Sequence, residues 1–244
     1  MRPLHRTVIG IMLAVALIGA GGTLFMWRGR SAARAAVMLE SGRTHFGKSY
    51  PEWGGVWWRW LYELPEQSAC VLPDGDMTGE YCAYGQTDPN VFFLVGTHGA
   101  KVIRTKCIVP SGRAIFFPII TFASDNAGTP PAELLTEQQM SSDVTMLLDK
   151  VSGLSLKVDG TEIDVTKQRV GATKFSYTLP PEPNYYSCAG MRGVTGKIDV
   201  SYHTGYWVML TPLPAGPHEI AFKGMVARSL GDLVIDVVYR LNVQ

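Results

Sequence analysis

Apolar and polar positions along this chain follow two rhythms, one helical and one alternating. Within Ser49–Pro65 the residues Trp53, Val56, Trp57, Trp60, Leu61 and Leu64 recur at i, i+3, i+4, i+7, i+8 and i+11. Pro51 stands at a permitted early position and Pro65 just past the end, so the spacing predicts a helix over Trp53–Leu64. Its stripe gathers Trp53, Trp57 and Trp60, worth on the order of 10 kcal/mol of transfer free energy at about 25 cal/mol per Å² before entropy is charged. Such a helix has to dock, and capping an open sheet is the default reading. The other face carries Trp58, Arg59 and Tyr62, a platform for a sugar ring or a partner protein if it is exposed. A second helical stripe runs through Leu134, Leu135, Gln138, Val144, Met146, Leu147, Leu148 and Val151, opened by Pro130-Pro131 and ended by Gly153.

Elsewhere the period is two. Val91–Val95 reads as a strand covered on both faces, and Thr97–Ala100 as a turn. Lys101–Val109 reads as its returning partner, with Arg104 and Lys106 on a wet side and Ile103, Thr105, Cys107 and Val109 on the other. Ala114–Ile120, Leu154–Val158, Ile163–Val165, Phe175–Leu179, Lys197–His203, Tyr206–Leu210, His218–Phe222 and Leu233–Val243 follow as further strands between turn residues. That many strands with two helices predict a mainly β fold, an antiparallel β-sandwich or jelly-roll-like body with two packed helices.

Thr7–Trp27 carries no charge and is long enough to span a bilayer as an N-terminal transmembrane helix. Ala33-Arg34-Ala35 offers a weak cleavage pattern, but the apolar run exceeds a usual signal-peptide core and favours an uncleaved signal anchor. The expected organisation is a signal anchor over 1–30, a spacer over 31–48 and an extracytoplasmic domain over 49–244. Arginines on both sides of the span leave its orientation open. The cysteines decide it: Cys70, Cys82, Cys107 and Cys188 form an even, widely spaced set without a CxxC, which points to disulfides and export. Of the three connectivities, the reading prefers Cys82–Cys107 with Cys70–Cys188, since Cys82 and Cys107 flank one predicted strand. The formal net charge of +1 gives no field for nucleic acid.

Candidate chemistry is sparse. Asp74, Asp76 and Glu80 place oxygen ligands in one loop, but Gly85 stands where an EF-hand needs a bidentate Glu, so a solvated turn comes before a Ca²⁺ site. His45, His98 and His203 lack metal-ligand spacing, and His98 reads as a turn residue. No Gly-x-Ser-x-Gly elbow is present, and with all four cysteines paired none of them serves as a nucleophile, so no catalytic residue is assigned. Tyr185, Tyr186 and Arg192 sit in a loop stapled by Cys188 and are surface-binding candidates.

Tyr50-Pro-Glu-Trp, Trp57-Trp58-Arg-Trp60, Cys82-Ala-Tyr-Gly-Gln86, Val91-Phe-Phe-Leu-Val-Gly-Thr97, the run from Cys107 to Ile119, and Gly205-Tyr-Trp-Val-Met-Leu-Thr-Pro-Leu213 occur in order. They resemble a family of secreted or membrane-anchored bacterial proteins with no established function. The resemblance implies an exported domain with cysteines at positions like Cys82 and Cys107. It implies no catalytic residue, cofactor or ligand. The expected function is a non-enzymatic binding or assembly module of the cell envelope. It would be tethered to a bacterial inner membrane, face the periplasm or exterior, and engage a protein subunit or glycan through aromatic side chains. The alternative is an envelope polysaccharide hydrolase using a carboxylate pair.

Overall fold

A computed structural model describes residues 36–64, 72–229 and 231–244. The chain divides into two units, Met1–Ala33 and Arg34–Gln244. The expected signal anchor over 1–30 lies outside the described residues. Among those residues no helix is long and apolar enough to cross a membrane. The second unit runs through α1 (Tyr50–Tyr62), β1 (Val91–Phe93), β2 (Lys101–Arg104), β3 (Ile108–Val109), β4 (Ala114–Asp125) and α2 (Glu137–Leu148). It continues with β5 (Val151–Val158), β6 (Thr161–Glu162), β7 (Arg169–Leu179), α3 (Tyr185–Cys188), β8 (Gly196–Leu210), β9 (Gly216–Val226) and β10 (Leu233–Val243).

The strands form two sheets, ordered β1-β4-β8-β7 and β2-β10-β9-β5-β6, with β3 also on β10. The domain is therefore mainly β with few helices, consistent with a β-sandwich. Its pairing is not wholly antiparallel as expected: β1 joins β4, and β2 and β3 join β10, in parallel. Nor does Lys101–Val109 return onto Val91–Val95. The connection after β1 crosses between sheets, so the two segments become edge strands of different sheets. The alternation on β2 is also inverted, with Val102 and Arg104 buried and Lys101 and Ile103 exposed.

Strand β4 explains the layering. Its run AIFFPII is buried throughout because both faces are covered. Ile115 and Phe117 point into the core shared with the second sheet, where Phe117 meets Phe222 at 5.0 Å between ring centroids. Phe116 points the other way, stacking on Trp207 at 5.1 Å beneath α1. A proline inside such a strand would ordinarily break the ladder. Here Pro118 sits at a bulge, since the register with β8 shifts between Pro118 and Ile120. β1 covers β4 only along Ala114–Phe116, so among the described residues that edge has no neighbouring strand from Phe117 onward.

Helix α1 starts at a capping box in which the Glu52 carboxylate accepts from Ser49 N and Oγ, each at 2.7 Å. It buries more than the expected stripe: Trp58 and Tyr62 are buried along with Trp53, Trp57 and Leu61, while Val56 and Trp60 are only half-buried. The glycine pair allows this close seating. A Cβ at Gly54 would lie 2.4 Å from His203 Cε1, and one at Gly55 3.3 Å from Phe175 Cβ. Helix side chains also protect the outer edge of β7, where Arg59 Nε donates to Ser176 O at 3.2 Å and Thr178 N donates to Glu63 Oε1 at 2.7 Å.

The expected spacer is docked from residue 36 on. Leu39 N donates to Met209 O and Thr211 N to Val37 O, each at 2.8 Å, and Tyr50 Oη and Trp53 Nε1 donate to Leu39 O and His45 O. Helix α2 begins later than Pro130-Pro131, at the cap Thr136. It ends before Gly153, which belongs to β5 at the bulge between Ser152 and Ser155. Val144 and Leu148 join the core between the sheets. Cys82 and Cys107 form the expected disulfide. Closing a loop with a sequence separation of 25 stabilises by about 3.5 kcal/mol on the chain-entropy account. Cys188 is disulfide-bonded as well, and its expected partner Cys70 lies outside the described residues.

Candidate functional site

A cavity of about 270 Å³ opens where β1 gives out. The uncovered edge of β4 supplies Pro118, Ile119, Ile120 and Thr121, and α1 supplies Trp57, Trp58 and Leu61. The start of β10 supplies Leu233 and Ile235 from the other sheet. The indoles are fixed at their polar ends: Trp57 Nε1 donates to Leu94 O at 2.9 Å and Trp58 Nε1 to Thr121 Oγ1 at 3.1 Å. Thr121 Oγ1 in turn donates to Thr204 O at 2.7 Å, which leaves the walls preorganised and largely apolar.

Polar groups converge at one side. Asp74 Oδ2 sits 2.7 Å from His98 Nε2 and accepts from Tyr185 Oη at 3.0 Å. All three residues line the cavity and also a second hollow of about 300 Å³ bounded by Leu72, Gly75, Cys188 and Ala189. The hydrogen bond to Asp74 raises the His98 pKa above its ordinary value, partial burial opposes that, and the carboxylate charge adds to it. Burial, followed by the Asp74 charge, pushes the Tyr185 phenol well above its ordinary range and holds it protonated. Asp74 Oδ1 is buried without a hydrogen-bond partner among the described residues. Arg228 completes the lining from an exposed position.

The loop carrying Asp74 is held from beneath by Arg104, which is fully buried. Its guanidinium donates to Asp76 O at 2.6 Å, Val95 O at 2.7 Å, Gly96 O at 2.9 Å and Asp74 O at 3.3 Å. It also donates to Tyr239 Oη at 2.5 Å and lies 5.1 Å from the centroid of that ring. Thr105 N and Lys106 N donate to Thr78 O, and the Cys82–Cys107 disulfide closes the far end of the loop.

The residues proposed from sequence fall into separate places. The outward platform of Trp58, Arg59 and Tyr62 does not form, because Trp58 and Tyr62 are buried and Arg59 is bonded to the edge of β7. Trp58 is instead a wall of the cavity. Tyr186 is buried too, bonded with Tyr177 around the Asp125 carboxylate at 2.8 to 3.1 Å, with Tyr62 packed against both rings. Tyr185 lines the cavity, whereas Arg192 is exposed and does not.

Asp74, Asp76 and Glu80 do not converge on a Ca²⁺ position. The Asp76 carboxylate accepts from Thr78 N, Thr78 Oγ1 and Tyr81 N, while Glu80 pairs with Lys106 at 2.8 Å. Burial alone would raise the Asp76 pKa, but these hydrogen bonds together outweigh it and lower it. Among the described residues no group of three or more His, Cys, Asp or Glu is arranged to hold a metal ion. Sequence reasoning missed His98 as a partner of Asp74, and it missed Thr121, Arg228 and the buried Arg104. The sequence reading places His98 only as a residue of the Thr97–Ala100 turn. Nothing local pairs Asp74 with Tyr185, 111 residues away.

No family model matches the chain, and no curated protein matches it. Among solved structures, the solution structure of amebosin aligns with 15% identity over 64% of this chain and 100% of that chain. Its TM-score of 0.19 carries no argument about fold or function.

Proposed function

We propose that the domain is a non-enzymatic binding module that takes a small ligand into the cavity between α1, the free edge of β4 and the start of β10. The observation that carries this reading is the cavity itself, with apolar walls fixed by Trp57, Trp58 and Thr121 and a few polar groups gathered at one side. The buried aromatics serve as walls rather than as a surface platform, so the ligand is a small molecule or one ring of a larger glycan. The same proposal retains the tether of Thr7–Trp27, a bacterial inner-membrane location with the domain outside the cytoplasm, and jelly-roll-like connectivity. The disulfide-bonded cysteines support export. A hydrolase working through a carboxylate pair needs a second carboxyl group facing Asp74, and no other described residue lining the cavity supplies one.

The test is saturation-transfer NMR with benzyl alcohol on the full chain held in nanodiscs. Wild type should show saturable transfer, and Leu233→Trp, which fills the cavity from a half-buried position, should abolish it with an unchanged circular dichroism spectrum. Absent transfer in wild type, or undiminished transfer in the filled variant, overturns the proposal.

A further inference from the structure

Resting on that cavity reading, we propose that the ligand is an amphipathic anion: a carboxylate with a compact apolar body, seated with its charge at Arg228 and His98. The interior fits the body, since Trp57, Trp58, Leu61, Ile119, Ile120, Leu233 and Ile235 offer no charge. At about 30 Å³ per water-sized group, 270 Å³ accommodates roughly nine heavy atoms. The rim fits the head. Arg228 is exposed at the opening, and its guanidinium forms no ion pair among the described residues. A planar guanidinium with free donors beside a low-dielectric wall matches the two oxygens of a carboxylate. His98 lines the same cavity with its side chain largely exposed, and its Nε2 is taken up by Asp74, which leaves the other ring nitrogen for solvent or ligand.

Asp74 is the feature that argues for a cationic ligand instead, and its geometry argues against that. Oδ2 is already shared between His98 and Tyr185, and Oδ1 is closed to solvent, so neither oxygen presents itself to an incoming ammonium. Both His98 and Tyr185 hydrogen-bond to the Asp74 carboxylate, whereas Arg228 has no ion-pair partner among the described residues.

The experiment compares benzoate, benzyl alcohol and benzylamine, similar in size and different in charge, titrated into the full chain in nanodiscs and read by saturation-transfer NMR. Wild type should bind benzoate about tenfold tighter than benzyl alcohol. Arg228→Ala should remove that preference, and Arg228→Glu should reverse it. Equal binding of the three probes, or a benzoate preference that survives Arg228→Ala, overturns the anion assignment and leaves the cavity reading standing. Tightest binding of benzylamine overturns it in favour of selection by Asp74. Failure of all three probes overturns the anion assignment and the cavity reading together.

Discussion

His203 sits under the closest approach of α1 to the sheet, and its titration offers a quantitative test of that packing. The ring has 0% exposure, its Nε2 lies 3.0 Å from Pro51 O, and its Nδ1 has no partner among the described residues. Burial lowers its pKa, the bond to the Pro51 carbonyl opposes this, and the net value falls from the ordinary 6.5 to about 4. An unfolded chain therefore takes up the proton before the folded one does. The protein loses stability as pH falls from about 6.5 to about 4, and this group costs nothing further below that. At about 1.36 kcal/mol per unit the whole gap is worth roughly 3 kcal/mol, and roughly 2 kcal/mol of it falls between about pH 7 and pH 4.5. The perturbation is His203→Gln, which keeps a donor for Pro51 O and removes the proton site. Urea unfolding of both proteins, followed by tryptophan fluorescence, cancels the other titrating groups in the difference, including Asp76 with its lowered pKa and His98 with its raised one. Wild type should lose about 2 kcal/mol more than the variant on acidification over that interval. Equal losses in the two proteins would refute the idea that a neutral histidine is trapped beneath α1.

Two further outcomes follow from packing. Gly54→Ala places a methyl 2.4 Å from His203 Cε1 and should cost roughly 1–3 kcal/mol in urea unfolding, whereas Gly55→Ala, meeting Phe175 Cβ at 3.3 Å, should cost less. Arg104→Met should cost on the order of 3 kcal/mol or more, because four carbonyls and the Tyr239 hydroxyl lose their shared donor. The same variant should raise hydrogen exchange across residues 74–81, and protection equal to wild type there would show that Arg104 does not hold the loop.

Elements with a long, repeated period were legible in the sequence, and relations between distant segments were not. The tryptophan helix, the strand-rich body and the Cys82–Cys107 bridge follow from spacing, capping prolines and flanking cysteines. The helix buries more than its stripe because α1 docks in a trough. One side of it meets Phe116 and Trp207, while Tyr62 meets Tyr177 and Tyr185, so residues assigned to a wet face are covered. The return strand failed because five residues, Gly96–Ala100, suit a hairpin turn as well as a crossing between sheets. The site depends on where β1 stops, which only the pairing with β4 reveals.

Strand β2 shows how one misplaced parity hid the scaffold of the site. Period-two reasoning puts a charged residue outside and so assigns Arg104 and Lys106 to the wet face. The structure instead spends Ile103 on the surface to bring Arg104 inward. Burying a guanidinium without a carboxylate partner is costly unless its donors are satisfied. Here they are met by backbone oxygens of two segments, Asp74 and Asp76 of the loop and Val95 and Gly96 after β1, and by the Tyr239 hydroxyl on β10. None of these has regular secondary-structure partners to hold it in place except Tyr239. The arginine thus ties two irregular segments to a strand, and those segments deliver Asp74 and, two residues past Gly96, His98 to the cavity. A hydrophobic residue at position 104 would satisfy the strand pattern and leave the loop without its attachment. The physical role of Arg104 is to position Asp74 and His98, and its cost is offset by hydrogen bonds that no apolar side chain can make.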